Sequence, residues 1–312
     1  MNFKILADAL FNFHSVIRSH GWYALAPFVW DADAGVLRRT EQLASGQVVV
    51  LQCAAATDGV AVHVRERVGK RAQEEIAAKA AWMFSLDLDL REFYAVAAGE
   101  PRLAHVPRDG HGRFLRSTTL WEDVVKVMMT TNIQWSGTKR LVRVLTETYG
   151  APYEKNDGTI PNAFPTAEAI ARTRESQLRK LGLGYRAPYL LQLARGVADG
   201  KYDLDALRDP MRPTDALRRA LLALPGIGPY AAATLLMLLG RYEFLGVDTE
   251  ALSAVSRGLY DGKPVTEKEV QAAFARWGKY KALAYWFWNW DGQSATPSPP
   301  APLPMGEGRI SI

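Results

Sequence analysis

The stretch LALPGIGPYAAATLLMLLG, residues 222–240, decides the fold, because it places a Leu-Pro-Gly-x-Gly-Pro turn between two apolar helical runs. Gly226 and Gly228 allow positive φ and carry no side chain, so N–H groups at the start of the second helix can point outward together. Such a turn, with a helix N-terminus behind it, suits an anion. A hairpin that only packs two helices could carry the same glycines, so the turn alone leaves phosphate binding and simple packing both open.

A single aspartate follows this hairpin at the start of the next helical run. In GRYEFLGVDTEALSAVSRGLY, residues 240–260, Asp248 lies 18 residues after Tyr230 and directly before an amphipathic pattern. An aspartate in this position commonly caps the helix, since its carboxylate accepts bonds from the first free N–H groups. The alternative is a carboxylate that faces a cleft, next to a hairpin that grips a polyanion. Both interpretations stay open at this point.

The chain divides into three parts by composition and periodicity. Residues 1–112 alternate or run apolar between Gly and Asp turns, which predicts an antiparallel β-rich domain. Residues 113–290 keep helical apolar spacing with short Gly and Pro breaks, which predicts an all-α domain. Residues 291–312 are rich in Pro, Ser and Gly without apolar periodicity, and we predict a disordered tail. The fold class is therefore α+β, with the sheet domain first.

Several segments of the first part have patterns that predict their local structure. Apolar spacing in residues 6–22 and 71–86 predicts two helices, and residues 86–101 are predicted to be a connection. Strands are predicted in residues 26–42, 46–59 and 60–69.

Cysteine and charge usage narrow the classes of function. The one cysteine, Cys53 in the run QVVVLQCAA, excludes a disulfide framework, an iron–sulfur cluster and a cysteine zinc site within one chain. We predict a small buried residue there. The net charge of +5 suits a polyanionic partner. The sequence has no uncharged apolar run near about 20 residues and no secretory leader, which predicts a soluble, cytoplasmic protein with no membrane partner.

Together these segments resemble the helix-hairpin-helix (HhH-GPD) DNA glycosylase superfamily, in its DNA-3-methyladenine glycosylase II and 8-oxoguanine glycosylase branch. The hallmark LPGxGxxxA occupies residues 224–232, and a GVD loop ends at Asp248. Upstream, VMMTTNIQWSGTKRLVRVL at 127–145 is similar to the segment with strand-wedging residues, and GLGYRAPYLLQLAR at 182–195 is similar to 8-oxoguanine glycosylases. The resemblance implies a two-lobed all-α glycosylase domain over 113–290 and, as partner, double-stranded DNA with a damaged base.

The resemblance assigns the chemistry to Asp248. Release of a base passes through an oxocarbenium-like sugar, which a carboxylate beside C1′ can stabilise while it orients or deprotonates water. Glu250 could assist, or could only compensate the helix dipole. Bifunctional members carry a lysine that forms a Schiff base at the position held here by Tyr230. A tyrosine cannot form that imine, so the resemblance implies a monofunctional hydrolase without AP-lyase activity.

The implied DNA contacts lie at the hairpin and upstream of it. Leu224, Gly226 and Gly228 would hold a phosphate, chiefly through the backbone, where the family implies a monovalent ion, Na⁺ or K⁺, and no metal bound by side chains. An enzyme that acts on C1′ flips the nucleotide out and fills the gap with a wedge. Thr131 and Asn132 are the wedge candidates, although either could be an ordinary helix-end residue. A basic face is predicted from Lys139, Arg140, Arg143, Lys180 and Arg186.

The segment RWGKYKALAYWFWNW, residues 276–290, places seven aromatic side chains within 15 residues, on a helix that the family puts along the base pocket. Tyr285 and Asn289, with Tyr230 from the hairpin helix, are predicted to line that pocket, because aromatic rings stack on flipped bases. Most of the other rings are predicted to belong to the core. The predicted core stripe consists of Trp277, Trp286 and Trp290.

The expected function is monofunctional release of damaged purines, with alkylated purines such as 3-methyladenine and 7-methylguanine before 8-oxoguanine. The glutamine that the 8-oxoguanine branch uses to read the oxidised base aligns with Tyr285, which offers no paired amide contact. The GLGYRA segment at 182–187 favours the opposite order. The alternatives are an 8-oxoguanine glycosylase and a catalytically silent helix-hairpin-helix DNA-binding module, whereas the cysteine count excludes an iron–sulfur glycosylase. We expect a monomer without a cofactor beyond the ion at the hairpin.

Overall fold

A five-stranded antiparallel sheet precedes a region of helices in the computed structural model, which describes residues 1–154 and 158–290. The predicted tail, residues 291–312, lies outside the described residues. The predicted α+β class, with the sheet first, is confirmed. The strands are β1 (Asn2–Leu6), β2 (Phe28–Asp31), β3 (Val36–Gln42), β4 (Val48–Ala56) and β5 (Gly59–Val64).

The helices of the described residues occupy most of the chain after the sheet. Three further turns are 3₁₀ helices, at Trp22–Ala24, Asp205–Arg208 and Ala275–Tyr280. The α-helices are α1 (Phe13–Ile17), α2 (Lys70–Met83), α3 (Arg91–Ala98), α4 (His105–Arg108), α5 (Leu120–Thr130), α6 (Trp135–Tyr149), α7 (Ala167–Ala171), α8 (Glu175–Lys180), α9 (Arg186–Ala198), α10 (Thr214–Leu222), α11 (Pro229–Leu238), α12 (Thr249–Leu259), α13 (Glu267–Ala273) and α14 (Lys281–Trp286).

The sheet has the order β1-β5-β4-β3-β2, and each neighbouring pair is antiparallel. Leu51 and Cys53 of β4 point to the core, whereas Gln52 and Ala54 point to the other face, as the period of two in a strand requires. Burial raises the pKa of the Cys53 thiol to about 12. The prediction that this cysteine is a small buried residue is therefore confirmed.

Two local predictions in the first part are wrong. The spacing of residues 6–22 predicts one helix, but Leu6 ends β1 and only Phe13–Ile17 is α-helical. Pairing with β5 holds the first residues extended, and such a long-range partner is invisible in local spacing. Residues 86–101, predicted as a connection, contain α3, which buries Phe93, Tyr94 and Ala97 on one face.

The helix that follows the hairpin turn lies at the centre of the helical region. The residues of α11 are apolar on all sides, and Ala231, Ala232, Leu235 and Leu236 are buried. A helix that is hydrophobic all round requires neighbours on every side. It packs against α10 and α5, and α5 in turn packs against α6 and α9. The turn is thereby fixed to the end of α5.

A buried cluster of charges joins the sheet to α5. Arg39 of β3 lies 2.9 Å from Glu122 of α5 and 2.7 Å from Glu41, and Lys126 lies 2.7 Å from Glu122. The Lys126 ammonium also lies 4.5 Å from the centre of the Phe28 ring. Buried charges are tolerated only when they are paired, since unpaired ones lose their hydration without compensation. The pairing therefore fixes how α5 sits on the sheet.

One hydrophobic cluster runs through both the sheet and the helices, from Phe13 to Trp288. The division between residues 112 and 113 stays a prediction, and it falls in the segment between α4 and α5. Within residues 1–154 and 158–290, no helix combines the length and the apolar character needed to cross a bilayer.

Candidate functional site

The predicted hairpin is formed by α10 and α11 with residues 223–228 between them. Leu224 and Ile227 are buried, and the N–H of Ile227 donates to the carbonyl of Leu224 at 3.2 Å. Leu224, predicted among the DNA-binding residues, thus supports the turn from the core, and its side chain does not face outward. Gly228 is the exposed N-cap of α11 and receives no side-chain cap from the described residues. The turn presents a bare helix N-terminus to solvent.

The two glycines of the turn have different surroundings. Gly226 has a φ of +76°, and a Cβ added there would lie 2.9 Å from the Cβ of Tyr189. Gly228 has a φ of −90°, and a Cβ added there would meet nothing within 4 Å. The fold therefore requires a glycine at 226, whereas at 228 the glycine keeps open the space in front of the helix.

Asp248 is the N-cap of α12, and its Oδ1 accepts the N–H of Ala251 at 2.8 Å. The side chain is half-buried, and the cap uses one of its two oxygens. The preceding loop lies against α11, because a Cβ on Gly246 would come within 3.4 Å of the Tyr230 ring. Capping and a role beside a ligand are therefore compatible for this carboxylate.

Two tyrosine hydroxyls lie within the electrostatic reach of Asp248. Burial, and then the negative charge of Asp248, raise the pKa of Tyr230 to about 12. Burial, followed by the charges of Asp248 and Glu250, raises the pKa of Tyr285. The ring of Tyr285 packs edge-on against Phe274, with 5.5 Å between the ring centres. Both hydroxyls stay protonated at neutral pH and can donate hydrogen bonds. The structure thus brings the predicted residues Asp248, Tyr230 and Tyr285 together.

Glu250 lies in the first turn of α12, where a carboxylate interacts favourably with the helix dipole. Its Oε1 lies 3.6 Å from Nη2 of Arg257. An ion pair at this distance between partly exposed groups contributes little to stability. The negative charge of Glu250 contributes to the raised pKa of Tyr285, so Glu250 belongs to the surroundings of the site.

The aromatic segment, residues 276–290, does not form the single helix that the resemblance to the glycosylase family implies. A 3₁₀ turn in which Gly278 has a φ of +52° precedes α14, and α14 ends at Trp286. The three tryptophans therefore do not share one helical stripe, but their predicted place in the core is confirmed, since Trp277 is buried and the other two rings pack against the core. The indole N–H of Trp286 donates to the carbonyl of Ser19 at 3.0 Å.

Asn289 follows α14 and is fixed by its main chain. Its N–H donates to the carbonyl of Arg102 at 3.1 Å, and its carbonyl accepts Nη1 of Arg102 at 2.6 Å. These bonds tie the end of the described chain to the segment between α3 and α4. The assignment of the Asn289 side chain to a base pocket stays a prediction.

The two wedge candidates, which follow the end of α5, both contact Tyr185, the residue before α9. The Oγ1 of Thr131 and the Nδ2 of Asn132 each lie 3.3 Å from the hydroxyl of Tyr185. Asn132 is exposed and has a φ of +48°, a left-handed conformation that asparagine tolerates. Tyr185 is 48% exposed and was not among the candidates, although it belongs to the GLGYRA segment. An exposed aromatic residue one position before a helix is the signal that could have found it.

Arg186 was predicted on a basic face, and this prediction is wrong because the side chain is buried. It is only 5% exposed, and its guanidinium donates to the carbonyls of Met128, at 3.3 Å, and of Thr131. It also lies over the Tyr185 ring, 4.6 Å from the ring centre. The last carbonyls of a helix lack partners within the helix, and a cation satisfies them well. Arg186 therefore fixes the end of α5 from the inside.

The remaining members of the predicted basic face are exposed. Arg140 of α6 donates to the carbonyl of Leu181 at 3.3 Å, and Arg143 pairs with Glu147 at 3.0 Å. Lys139 of α6 and Lys180 at the end of α8 have no ion-pair partner in the part of the chain that the structure describes. These cations remain candidates for contact with a polyanion.

Residues 125–279 match the family model described as HhH-GPD superfamily base excision DNA repair protein. The chain is 23% identical over 234 residues to the N-glycosylase/DNA lyase of Saccharomyces cerevisiae. That match covers 64% of this chain and 62% of the yeast protein. It is 27% identical over 221 residues to the DNA-3-methyladenine glycosylase of Bacillus subtilis. That match covers 69% of this chain and 72% of the Bacillus protein. The chain thus spans less than two thirds of the length of the yeast relative.

A solved structure has the same fold. The 3-methyladenine DNA glycosylase from Archaeoglobus fulgidus superposes with a TM-score of 0.74 at 21% identity, over 91% of this chain and 97% of that chain. The superposition includes the N-terminal part, which the family model does not cover. The match over 125–279 includes both the hairpin and Asp248. By its family model, its relatives and its fold, the chain belongs to the HhH-GPD superfamily of base excision DNA repair proteins.

Proposed function

We propose that the protein is a DNA glycosylase that hydrolyses the N-glycosidic bond of damaged purines in duplex DNA. The observation that carries the proposal is the position of the half-buried Asp248 carboxylate. Its cap uses one oxygen, the loop before it packs on the Tyr230 ring at the start of α11, and burial together with its charge raises the pKa of the Tyr230 and Tyr285 hydroxyls. A hairpin that only gripped a phosphate would need no carboxylate whose charge acts on two protonated tyrosine hydroxyls. The names of the two relatives support the same class of activity.

In the proposed reaction, the turn at Gly228 binds a phosphate of the lesion strand, and the damaged nucleotide leaves the stack. Flipping costs a few kcal/mol, and Asn132 with Tyr185 would fill the gap that remains. The C1′–N bond then breaks with its electron pair leaving on the base. Asp248 stabilises the positive sugar and accepts a proton from the water that adds to C1′. The product is an abasic site in an intact strand.

The proposal includes no organic cofactor and no metal held by side chains. The resemblance implies a monovalent cation, Na⁺ or K⁺, at the hairpin backbone. The space in front of Gly228 is open, which leaves room for a small ion between the turn and a phosphate. The chemistry itself is assigned to Asp248 and water.

Alkylated purines are expected to be released faster than 8-oxoguanine. A purine methylated at N3 or N7 carries positive charge and a weakened glycosidic bond, and the rings of Tyr230 and Tyr285 can attract it by cation–π interaction, worth about 0.5–2 kcal/mol. Each hydroxyl donates one hydrogen bond and cannot read the edge of 8-oxoguanine as a paired amide would. The measurement is single-turnover release from duplexes that carry one defined lesion, with hot alkali to cleave abasic sites.

The outcomes of this lesion panel separate the candidates. Faster release of 8-oxoguanine would contradict the expected order and support the second candidate, an 8-oxoguanine glycosylase. That candidate is favoured by the GLGYRA segment at residues 182–187. Binding without release from any lesion would leave a catalytically silent DNA-binding module.

Borohydride is expected to trap no covalent complex between the protein and its substrate DNA. The hairpin position of the Schiff-base lysine is held by Tyr230, whose phenol cannot form an imine with C1′. Strand breaks should therefore appear only after alkali treatment. The measurement is a denaturing gel of the borohydride reaction, with alkali cleavage of a parallel sample as the control for turnover. A trapped adduct would show that another amine performs lyase chemistry.

A further inference from the structure

Tyr189 is an exposed aromatic residue that the proposed reaction does not use. It lies on α9 and is 44% exposed. Its Cβ and Cγ are the atoms that a side chain at Gly226 would meet, at 2.9 and 3.2 Å. The side chain therefore lies directly against the hairpin turn. In the part of the chain that the structure describes, its hydroxyl has no hydrogen-bond partner.

The first turns of α9 connect the hairpin to the end of α5. Tyr185 precedes this helix and contacts Thr131 and Asn132, whereas Tyr189 contacts the turn at Gly226. Positions four apart lie on the same helix face, about 6 Å apart along the axis. A DNA strand that reaches both the turn and the wedge residues must pass across this face. Tyr189 is the exposed side chain between the two.

We infer that Tyr189 is a further DNA-contact residue, whose hydroxyl donates a hydrogen bond to a phosphate oxygen of the strand held by the hairpin. The inference rests on the proposed function for the identity of the ligand. Tyrosine is a neutral donor, and a hydrogen bond to a charged phosphate is stronger than one between neutral groups. Contacts of this kind position the strand and carry no sequence information. The turn and Tyr189 together form a two-part phosphate site.

The test compares Tyr189→Phe with the wild type in binding to an undamaged duplex and to a duplex with an abasic-site analogue. Phenylalanine keeps the ring against Gly226 and removes only the hydroxyl. We expect an affinity loss of about tenfold for both duplexes, since a hydrogen bond to a charged group is lost. The dependence of affinity on salt should stay as in the wild type, because a neutral donor releases no counterions. By contrast, Lys139→Ala should lower the salt slope by about 1 if that lysine contacts a phosphate.

The matched control is Tyr202→Phe, the same substitution in the segment that follows α9. Tyr202 packs on Gly196, whose added Cβ would lie 2.3 Å from its ring. Affinity of Tyr189→Phe equal to that of the wild type, or an equal loss in Tyr202→Phe, would overturn the inference. If the wild type releases no base but Tyr189→Phe still weakens binding, the glycosylase proposal fails and this inference stands. Normal base release with unchanged binding by Tyr189→Phe would refute this inference alone.

Discussion

Asp248→Asn is expected to bind DNA as the wild type does and to release bases at least about 10³-fold more slowly, the scale on which lost transition-state charge stabilisation acts. The asparagine oxygen can still accept the N–H of Ala251, a bond that Oδ1 now makes at 2.8 Å, and asparagine caps helices as well as aspartate does. The substitution therefore removes the negative charge beside the sugar and leaves the start of α12 intact. Because that charge acts mainly in the transition state, release is lost while binding is kept.

The measurement is single-turnover release from the best lesion of the panel, with affinity for an abasic-analogue duplex measured beside it. Asp248→Ala serves as the comparison, because it removes the charge and also the cap, at a cost of about 1 kcal/mol in unfolding free energy. Loss of release in both variants, with a lower melting temperature only for alanine, would separate chemistry from stability. Release from Asp248→Asn close to that of the wild type would refute the assigned mechanism.

The elements that sequence predicted best are those whose residues have a local physical meaning. The turn at Gly226 needs positive φ, and Asp248 caps α12 with its own side chain, so both could be inferred from a few neighbouring residues. The apolar run of β4, residues 48–56, likewise indicates a buried strand without reference to distant residues. In contrast, β1 exists because β5 pairs with it, and the paired residues are 53 to 61 positions apart, which no local window contains.

The candidate site shows the same limit for individual side chains. Sequence predicts Arg186 on a basic face, because its neighbours do not show whether the side chain faces solvent or another helix. The structure buries it on the carbonyls of Met128 and Thr131, because the end of α5 lies beside it. Leu224 is buried and Gly228 is exposed for a similar reason. Both belong to the same turn, and only three-dimensional packing distinguishes its inner side from its outer side.

The sheet contributes to the candidate site through α5. At the start of this helix, Glu122 is paired with Arg39 of the sheet, and at its end Arg186 binds the last carbonyls. The wedge candidates Thr131 and Asn132 follow directly, so their position depends on both anchors. This dependence gives the N-terminal part a physical role in the site even though Asp248, the predicted catalytic residue, lies in the helical part.

Gly228→Ala is expected to fold normally and to lose about 100-fold in affinity for duplex DNA, with or without a lesion, which corresponds to the loss of one to two hydrogen bonds to a charged phosphate. An added Cβ at this position meets no protein atom within 4 Å, so it would project into the space where the phosphate is proposed to bind. Its φ of −90° suits alanine, and the weaker cap should cost about 1 kcal/mol at most. Affinity is measured by titration of a labelled duplex and stability by thermal unfolding.

Gly226→Ala is the matched comparison, because the same methyl group is added two residues earlier in the same turn. Here the φ of +76° is unfavourable for alanine by about 1–2 kcal/mol, and the methyl group would lie 2.9 Å from the Cβ of Tyr189. This variant should therefore unfold at a lower temperature and also bind DNA weakly, because the turn is displaced. If the phosphate is held by the backbone at the start of α11, only Gly228→Ala separates binding from stability. Wild-type affinity in a folded Gly228→Ala protein would mean that the strand is held elsewhere.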